Sequence, residues 1–406
     1  MENITAKTHI FTSCTVSYIP KARVLGKSLK KFHPEIQFHL ILSDLLPNFI
    51  NLETEPFDSI ITVEELNIPN LKQWLFKHSV VEMCTAVKGV SFQEIFNRYN
   101  NCEQVIFFDP DIAIFSPLDE LLANFENHSI LLTPHQLEPE KTKEIVIDNE
   151  ICFLRHGVFN LGFLGVKNSP EGKRFLDWWA NRCLNFCYDD TPNALFTDQR
   201  WIDLVPTFFT EVGILRNPAY NVANWNLTNR EVTGSLETGI FVNNKPLCFY
   251  HFSSSQSIMP NKYKVINSVT ESLLEWYQQE CENMGQSKLK NKPCFYNFFD
   301  NGETITVEQR LRYRHDQALQ DYFPQPFHTK DEYKSYFHWY HQQELDREKE
   351  QLEKQKQQLE RDKFVDQLKN ELEQNRALIE GMESSKFWKI RTGWFAFKKL
   401  LGLPTE

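Results

Sequence analysis

Two carboxylates, Asp109 and Asp111, stand either side of Pro110 directly after the apolar, β-rich run Gln104–Phe108. Pro110 fixes the intervening φ and stiffens the turn that carries them. Hard oxygen ligands at this spacing can grip Mg²⁺ or Mn²⁺ and still leave positions for phosphate oxygens. The chemistry on offer is departure of a diphosphate, with the ion as Lewis acid and template. The same triplet also reads as a loop that caps a following helix through Asp111 or Ser116. Alone, a D-x-D triplet does not choose between the two.

Composition removes several other chemistries. The nine cysteines include no C-x-x-C pair, the closest two being Cys183 and Cys187. They read as inert buried groups in a reducing compartment rather than as a disulfide framework or a zinc site. A formal net charge of −10 offers nucleic acid no general attraction. A glycoside hydrolase needs a facing acid–base pair of carboxylates, and none is nominated.

Holding the acidic pair requires a frame. His9–Cys14, Gln37–Ser43, Ile60–Val63, Gln104–Phe108, Ile130–Thr133, Val158–Val166 and Leu247–Phe252 read as strands. Lys21–Phe32, the stretch 71–99 and the stretch 171–187 read as helical. Strands alternating with helices predict an α/β fold with a mostly parallel sheet covered on both faces. Ligands gather at the carboxyl ends of such strands, where Asp109 and Asp111 lie. The 406 residues divide into an expected catalytic domain (1–275), an aromatic-rich extension packing on it (276–341), a long charged helix (342–383) and a basic-aromatic segment (384–406). Met1–Thr8 has no signal-peptide pattern, and no run approaches the roughly 20 apolar residues of a spanning helix. A cytoplasmic protein is expected, peripheral on the inner face of the cell membrane.

The stretch Phe107-Phe108-Asp109-Pro110-Asp111-Ile112-Ala113-Ile114-Phe115 resembles the D-x-D strand of GT-A glycosyltransferases, especially the glycogenin-like retaining group (family 8). His156-Gly157-Val158-Phe159-Asn160-Leu161-Gly162-Phe163 is similar to that group's F-N-x-G strand, Thr197-Asp198-Gln199 to its D-Q element, and Tyr250-His251-Phe252-Ser253 to its late metal-ligand strand. DPDI…SPLDEL, HGVFNLGF and DQRWIDLVP also resemble bacterial cell-surface polysaccharide transferases. The likeness covers roughly residues 8–265. It implies a GT-A fold and transfer of a sugar from a nucleotide-sugar donor, a UDP-sugar foremost, to a saccharide or lipid-linked acceptor. It further implies that Asp109, Asp111 and His251 bind Mn²⁺ or Mg²⁺ with the donor diphosphate. Thr12, Ser13 and Cys14 would lie near the base, Lys88 near the phosphates, Asn160 and Gly162 along the sugar, and Asp198 with Gln199 at the reacting face. After His251 the sequence FSSSQSIMPNK lacks the group's Gly and close Lys, leaving Lys262 as substitute. The base-binding strand lacks the group's usual acid.

Each of these residues has a plainer reading. His251 suits a core histidine, Asp198 a cap for a helix starting at Gln199, Asn160 and Gly162 a strand bulge, and Lys88 an exposed helix end. Trp178, Trp179 and Trp201 suit the core. Two further readings of the chain are a non-catalytic GT-A-like scaffold that oligomerises through its C-terminal helix, and an inverting transferase with Asp198 as base.

In the C-terminal helix, Leu345, Leu352 and Leu359 recur every seven residues, and Val365, Leu368, Leu372, Ile379 and Met382 form a fuller seam with Asn375 as a polar member. This predicts a coiled-coil homo-oligomer or a solitary charged helix. Beyond it, Lys386, Lys389, Arg391, Lys398 and Lys399 alternate with Phe387, Trp388, Trp394, Phe395 and Phe397. Such a segment suits the headgroup region of an anionic membrane, or docking on its own catalytic domain.

Overall fold

The computed structural model describes residues 7–253 and 267–404. The chain forms two compact units that divide after Asp331.

In the first unit, β1 (Thr8–Cys14) and β4 (Gln104–Phe108) are buried along their whole length. Burial on both faces is why they read as continuous apolar runs. α1 (Ile19–Phe32) crosses to β2 (Gln37–Leu42), and β3 (Ser59–Thr62) follows. The stretch 71–99 is not one helix but three: α2 (Leu71–Lys77), α3 (Val80–Ala86) and α4 (Lys88–Arg98). Ser79 and Glu82 form a capping box that restarts the chain as α3. Then come β5 (Ile112–Ile114), β6 (Ile130–Pro134) and β7 (Phe159–Lys167).

The central sheet has the order Val212–Ile214, β6, β7, β4, β1, β2, β3. Its pairings are parallel except those of β7, which runs antiparallel to both β4 and β6. The expected mixed, mostly parallel sheet with flanking helices is therefore the architecture of this unit. Alternate residues serve opposite layers. Phe11, Val105 and Phe107 pack with Phe92 and Trp179 on one face, while Ile10, Ile106 and Phe108 pack with Leu25 and Leu29 on the other. On the first face α4 meets the helix Pro170–Phe186 so closely that a Cβ on Gly89 would lie 2.6 Å from Ala180 Cα.

Two features aim the chain at one end of the sheet. Reversal of β7 brings its first residues, Phe159 and Asn160, to the carboxyl ends of β4 and β6. A small antiparallel pair joins β5 to the strand Phe249–His251, with His251 opposite Ile112. Further along, Arg310 donates to the carbonyls of Phe76, His78 and Tyr296, and Arg314 pairs with Glu82. These bonds fasten the aromatic-rich segment onto α2 and α3.

The second unit holds the expected long helix, Tyr336–Ser384, 49 residues. Ser385, with extended φ −63° and ψ 146°, interrupts it, and its side chain accepts from the Trp388 N–H to open the helix Lys386–Leu400. The seam residues Leu352, Leu368 and Leu372 are exposed. Among the described residues, no helix is long and apolar enough to cross a membrane.

Candidate metal centre

Asp109 leaves β4 at its carboxyl end, and its N–H donates to the Gly162 carbonyl at 2.8 Å, extending the ladder to β7 by one residue. Asp111 opens β5. Pairing of β5 with Phe249–His251 then sets the His251 ring against both carboxylates. Its Nε2 lies 3.1 Å from Asp111 Oδ1 and 3.7 Å from Asp109 Oδ2. Ligand atoms of the three residues all lie within 4.8 Å of one another, a group that can hold a metal ion.

Asn160 orients the imidazole. Its Oδ1 accepts from the Gly162 N–H at 3.1 Å, and a backbone N–H can only donate, so the same oxygen accepts from His251 Nδ1 at 3.2 Å. With Nδ1 committed to Asn160, Nε2 is the nitrogen that faces the carboxylates and the one that would ligate an ion held there. Ligating histidines are commonly held this way. The Asn160 amide nitrogen donates in turn to His135 Nε2 at 3.2 Å. Burial, then His251, pulls the His135 pKa down to about 3, so that ring is a neutral acceptor. Gly162 makes the arrangement possible: a Cβ there would lie 2.5 Å from His251 Cε1.

Lys88, at the first turn of α4, is 3% exposed. Its Nζ lies 3.0 Å from Asp198 Oδ2 and 3.4 Å from Asp109 Oδ1, and donates to the Leu161 carbonyl at 3.1 Å. Burial opposes the ammonium, but Asp109 and Asp198 outweigh it and hold its pKa above the ordinary lysine value. Burial raises the Asp109 pKa in spite of Lys88 and His251. At Asp111 burial also works against the charged form, yet His251 and Lys21 prevail and lower the pKa. Burial likewise disfavours a charged His251, and Asp111 with Asp109 reverses this and raises its pKa.

Asp198 is delivered inward by strained backbone. Thr197, β-branched, has φ +45°, a conformation such residues rarely adopt and one that clusters at functional sites. Trp179 Nε1 donates to the Asp198 carbonyl at 3.3 Å. Gln199 is engaged at both ends of its amide: Oε1 accepts from Leu161 N, and Nε2 donates to the His156 carbonyl, each at 3.0 Å.

The structure thus brings Asp109, Asp111, His251, Asn160, Gly162, Lys88, Asp198 and Gln199 into one network. Thr12, Ser13 and Cys14 lie buried at the end of β1, and among the described residues no hydrogen bond joins them to it. Ser13 donates instead to the Cys84 carbonyl. Lys262 lies outside the described residues. The plainer readings fare unevenly. The helix Asp119–Leu122 has Leu118, not Asp111 or Ser116, at its N-cap, and the turn after Asp198 takes no cap from it. A register shift between Leu132 and Pro134 against β7 does mark an irregularity at Asn160–Gly162. Three neighbours escaped the sequence: His135, Trp225, whose ring stands edge-on 5.2 Å from that of His251, and Lys21, 3.9 Å from Asp111. His135 carried a signal, since it directly follows a strand as Asp109 does.

Fold and site together define an α/β protein with a candidate divalent-cation centre at the carboxyl ends of its central strands. Two carboxylates and an imidazole form a group that could hold a divalent cation. No family model matches the chain. It is similar to two uncharacterized proteins of Bacillus subtilis (strain 168). YfnF is 26% identical over 221 residues, which span 53% of this chain and 72% of that protein. YfnD is 24% identical over 266 residues, which span 64% and 79%. Among solved structures it is similar to the galactosyltransferase LgtC in complex with donor and acceptor sugar analogs. That TM-score is 0.40 at 15% identity, with 70% of this chain and 97% of that one covered.

Proposed function

We propose that the chain is a metal-dependent GT-A glycosyltransferase. It moves a sugar, with retention of configuration, from a UDP-sugar to a saccharide or lipid-linked acceptor in bacterial cell-surface polysaccharide synthesis. The convergence of Asp109, Asp111 and His251 within 4.8 Å carries this reading. Those three residues would hold a Mn²⁺ or Mg²⁺ ion, whose positive charge would be available to a leaving diphosphate. The chain's own residues do the rest. Asn160 fixes the His251 ring, and Lys88 holds Asp109 and Asp198 in register beside the donor. Gln199 braces the backbone at His156 and Leu161 that borders the sugar. Asp198, held 3.0 Å from the Lys88 ammonium, is better placed to support a developing sugar cation than to take a proton, which favours retention over an inverting mechanism.

The test is calorimetric titration of UDP and GDP with Mn²⁺, then with EDTA, on the wild type and on Asp111→Ala. Metal-dependent binding that disappears in the variant is expected. Absence of binding by either nucleotide would turn the reading towards a scaffold.

The helix Lys386–Leu400 supports the second part of the proposal, attachment to the inner face of the cell membrane. Phe387, Trp394 and Phe397 are exposed on it beside its lysines, as suits an interfacial helix. Flotation with anionic liposomes is expected to carry the protein upward. Protein left in the soluble fraction would refute the attachment.

A further inference from the structure

Arg230 is a guanidinium buried without a counter-charge. It is 6% exposed, and its Nη1 donates to the Tyr220 carbonyl at 2.8 Å. No carboxylate among the described residues pairs with it. Burial pulls its pKa down to about 9, opposed by Tyr250 alone, so it stays charged at neutral pH. An unpaired interior charge is costly and calls for a partner.

Space for a partner exists. Arg230 faces a cavity of about 200 Å³ lined also by Arg216, Gln136, Asn229 and Asn243. Arg216 forms no ion pair among the described residues. The carboxylate at the rim, Glu138, is exposed and makes no ion pair with either arginine. Gln136 Oε1 is buried without a partner, an acceptor for a ligand hydroxyl. Two guanidinium forks and an amide acceptor lining one cavity suit a carboxylate or phosphate attached to a hydroxyl-bearing ring.

A relay of hydrogen bonds also links the cavity wall to the metal centre. The wall residue Asn226 donates to the His135 carbonyl at 3.0 Å. His135 then meets Asn160, and Asn160 meets His251. A second cavity, of about 400 Å³, shares Gln136 and Glu138 and is bounded by Phe153, Leu154 and Val158. A saccharide can therefore occupy the larger space with an acidic substituent in the smaller one.

We propose that the Arg216–Arg230 cavity binds the anionic group, carboxylate or phosphate, of an acidic saccharide acceptor. That the ligand is an acceptor rests on the transferase reading; the anion site rests on the arginines.

Calorimetric titration of inorganic phosphate, and separately of glucuronate, into the full chain tests it, with Arg216→Glu and Arg230→Met as variants. UDP with Mn²⁺ is titrated into each protein in parallel. At least one anion is expected to bind the wild type, and its affinity to fall about tenfold or more in both variants, while UDP–Mn²⁺ binding persists. Whichever anion binds names the group. Failure of both to bind the wild type, or binding unchanged in Arg216→Glu, overturns the proposal. Should Arg230→Met not fold, the exposed Arg216 decides alone. Anion binding intact in a wild type that binds no UDP–Mn²⁺ would support the anion site and sink the transferase reading instead.

Discussion

Gly162 and Asn160 show how little material sets the metal centre. The bare Cα of Gly162 makes room for the His251 ring, and the amide of Asn160 turns it. Gly162→Ala would put a methyl group 2.5 Å from His251 Cε1, so the ring must tilt away from the carboxylates. Mn²⁺ affinity is expected to fall about tenfold or more, the usual cost of disturbing what orients a ligand, and the melting temperature to fall with the overpacking of a buried site. Titration of Mn²⁺ beside a thermal melt checks this, and unaltered affinity would show that the ring does not need the space. At this level the acidic pair was legible because its chemistry is local: two carboxylates and a proline in sequence, directly after a strand. Lys21 and Trp225 were not, because they reach the centre only through pairings between distant segments. Thr197 was equally hidden, since nothing in a threonine announces a positive φ.

Among the elements, the long buried strands were legible from their apolar runs, and β5 and Val212–Ile214 were not. Each of the two has three residues, and neither buries enough side chains to leave a pattern. The three-helix break of 71–99 was written in Ser79-Val80-Val81-Glu82, a capping sequence inside an otherwise helical run. At the amino end of the sheet, away from the metal centre, β1 and β2 bury a histidine pair. His9 Nδ1 lies 2.9 Å from His39 Nε2, and Tyr99 packs on both rings. Burial pulls the His9 pKa down to about 4, and burial with His9 pulls His39 down to about 3. Unfolded, both titrate near 6.5. Between pH 6.5 and about 4 the unfolded chain therefore binds more protons, and stability must fall as pH falls. Each ring contributes up to about 1.4 kcal/mol per pH unit. Urea unfolding across that range should show the decline, and a His9→Gln/His39→Gln double variant should make it shallower, leaving the share of His135 and His78, which burial also pulls down to about 3. An identical slope in the variant would remove the rings as its source.

For the molecule as a whole, the charge is divided unevenly. The chain carries −10 overall, yet the last helix has five basic residues and no acid, so an anionic surface meets it on favourable terms whatever the sum. The helix before it exposes Leu345, Leu352, Leu359, Val365, Leu368, Leu372, Ile379 and Met382, a length of apolar seam of the kind a partner helix covers. Light scattering on the full chain is expected to give a mass above the monomer, and Leu368→Glu with Leu372→Glu to return it to one. A monomeric wild type would make the seam a solvated face.

The small pairing of β5 with Phe249–His251 also bears on the order in which the protein comes into being. It joins residue 112 to residue 251, so a chain emerging from the ribosome can lay down β1 to β4 and their helices long before His251 exists. The first four strands can then stand before His251 joins the acidic pair, because contacts between segments so far apart in sequence form late, and the clasp of Arg310 on α2 forms later still. A nascent chain of this protein cannot bring Asp109, Asp111 and His251 together until most of the first unit has been synthesised.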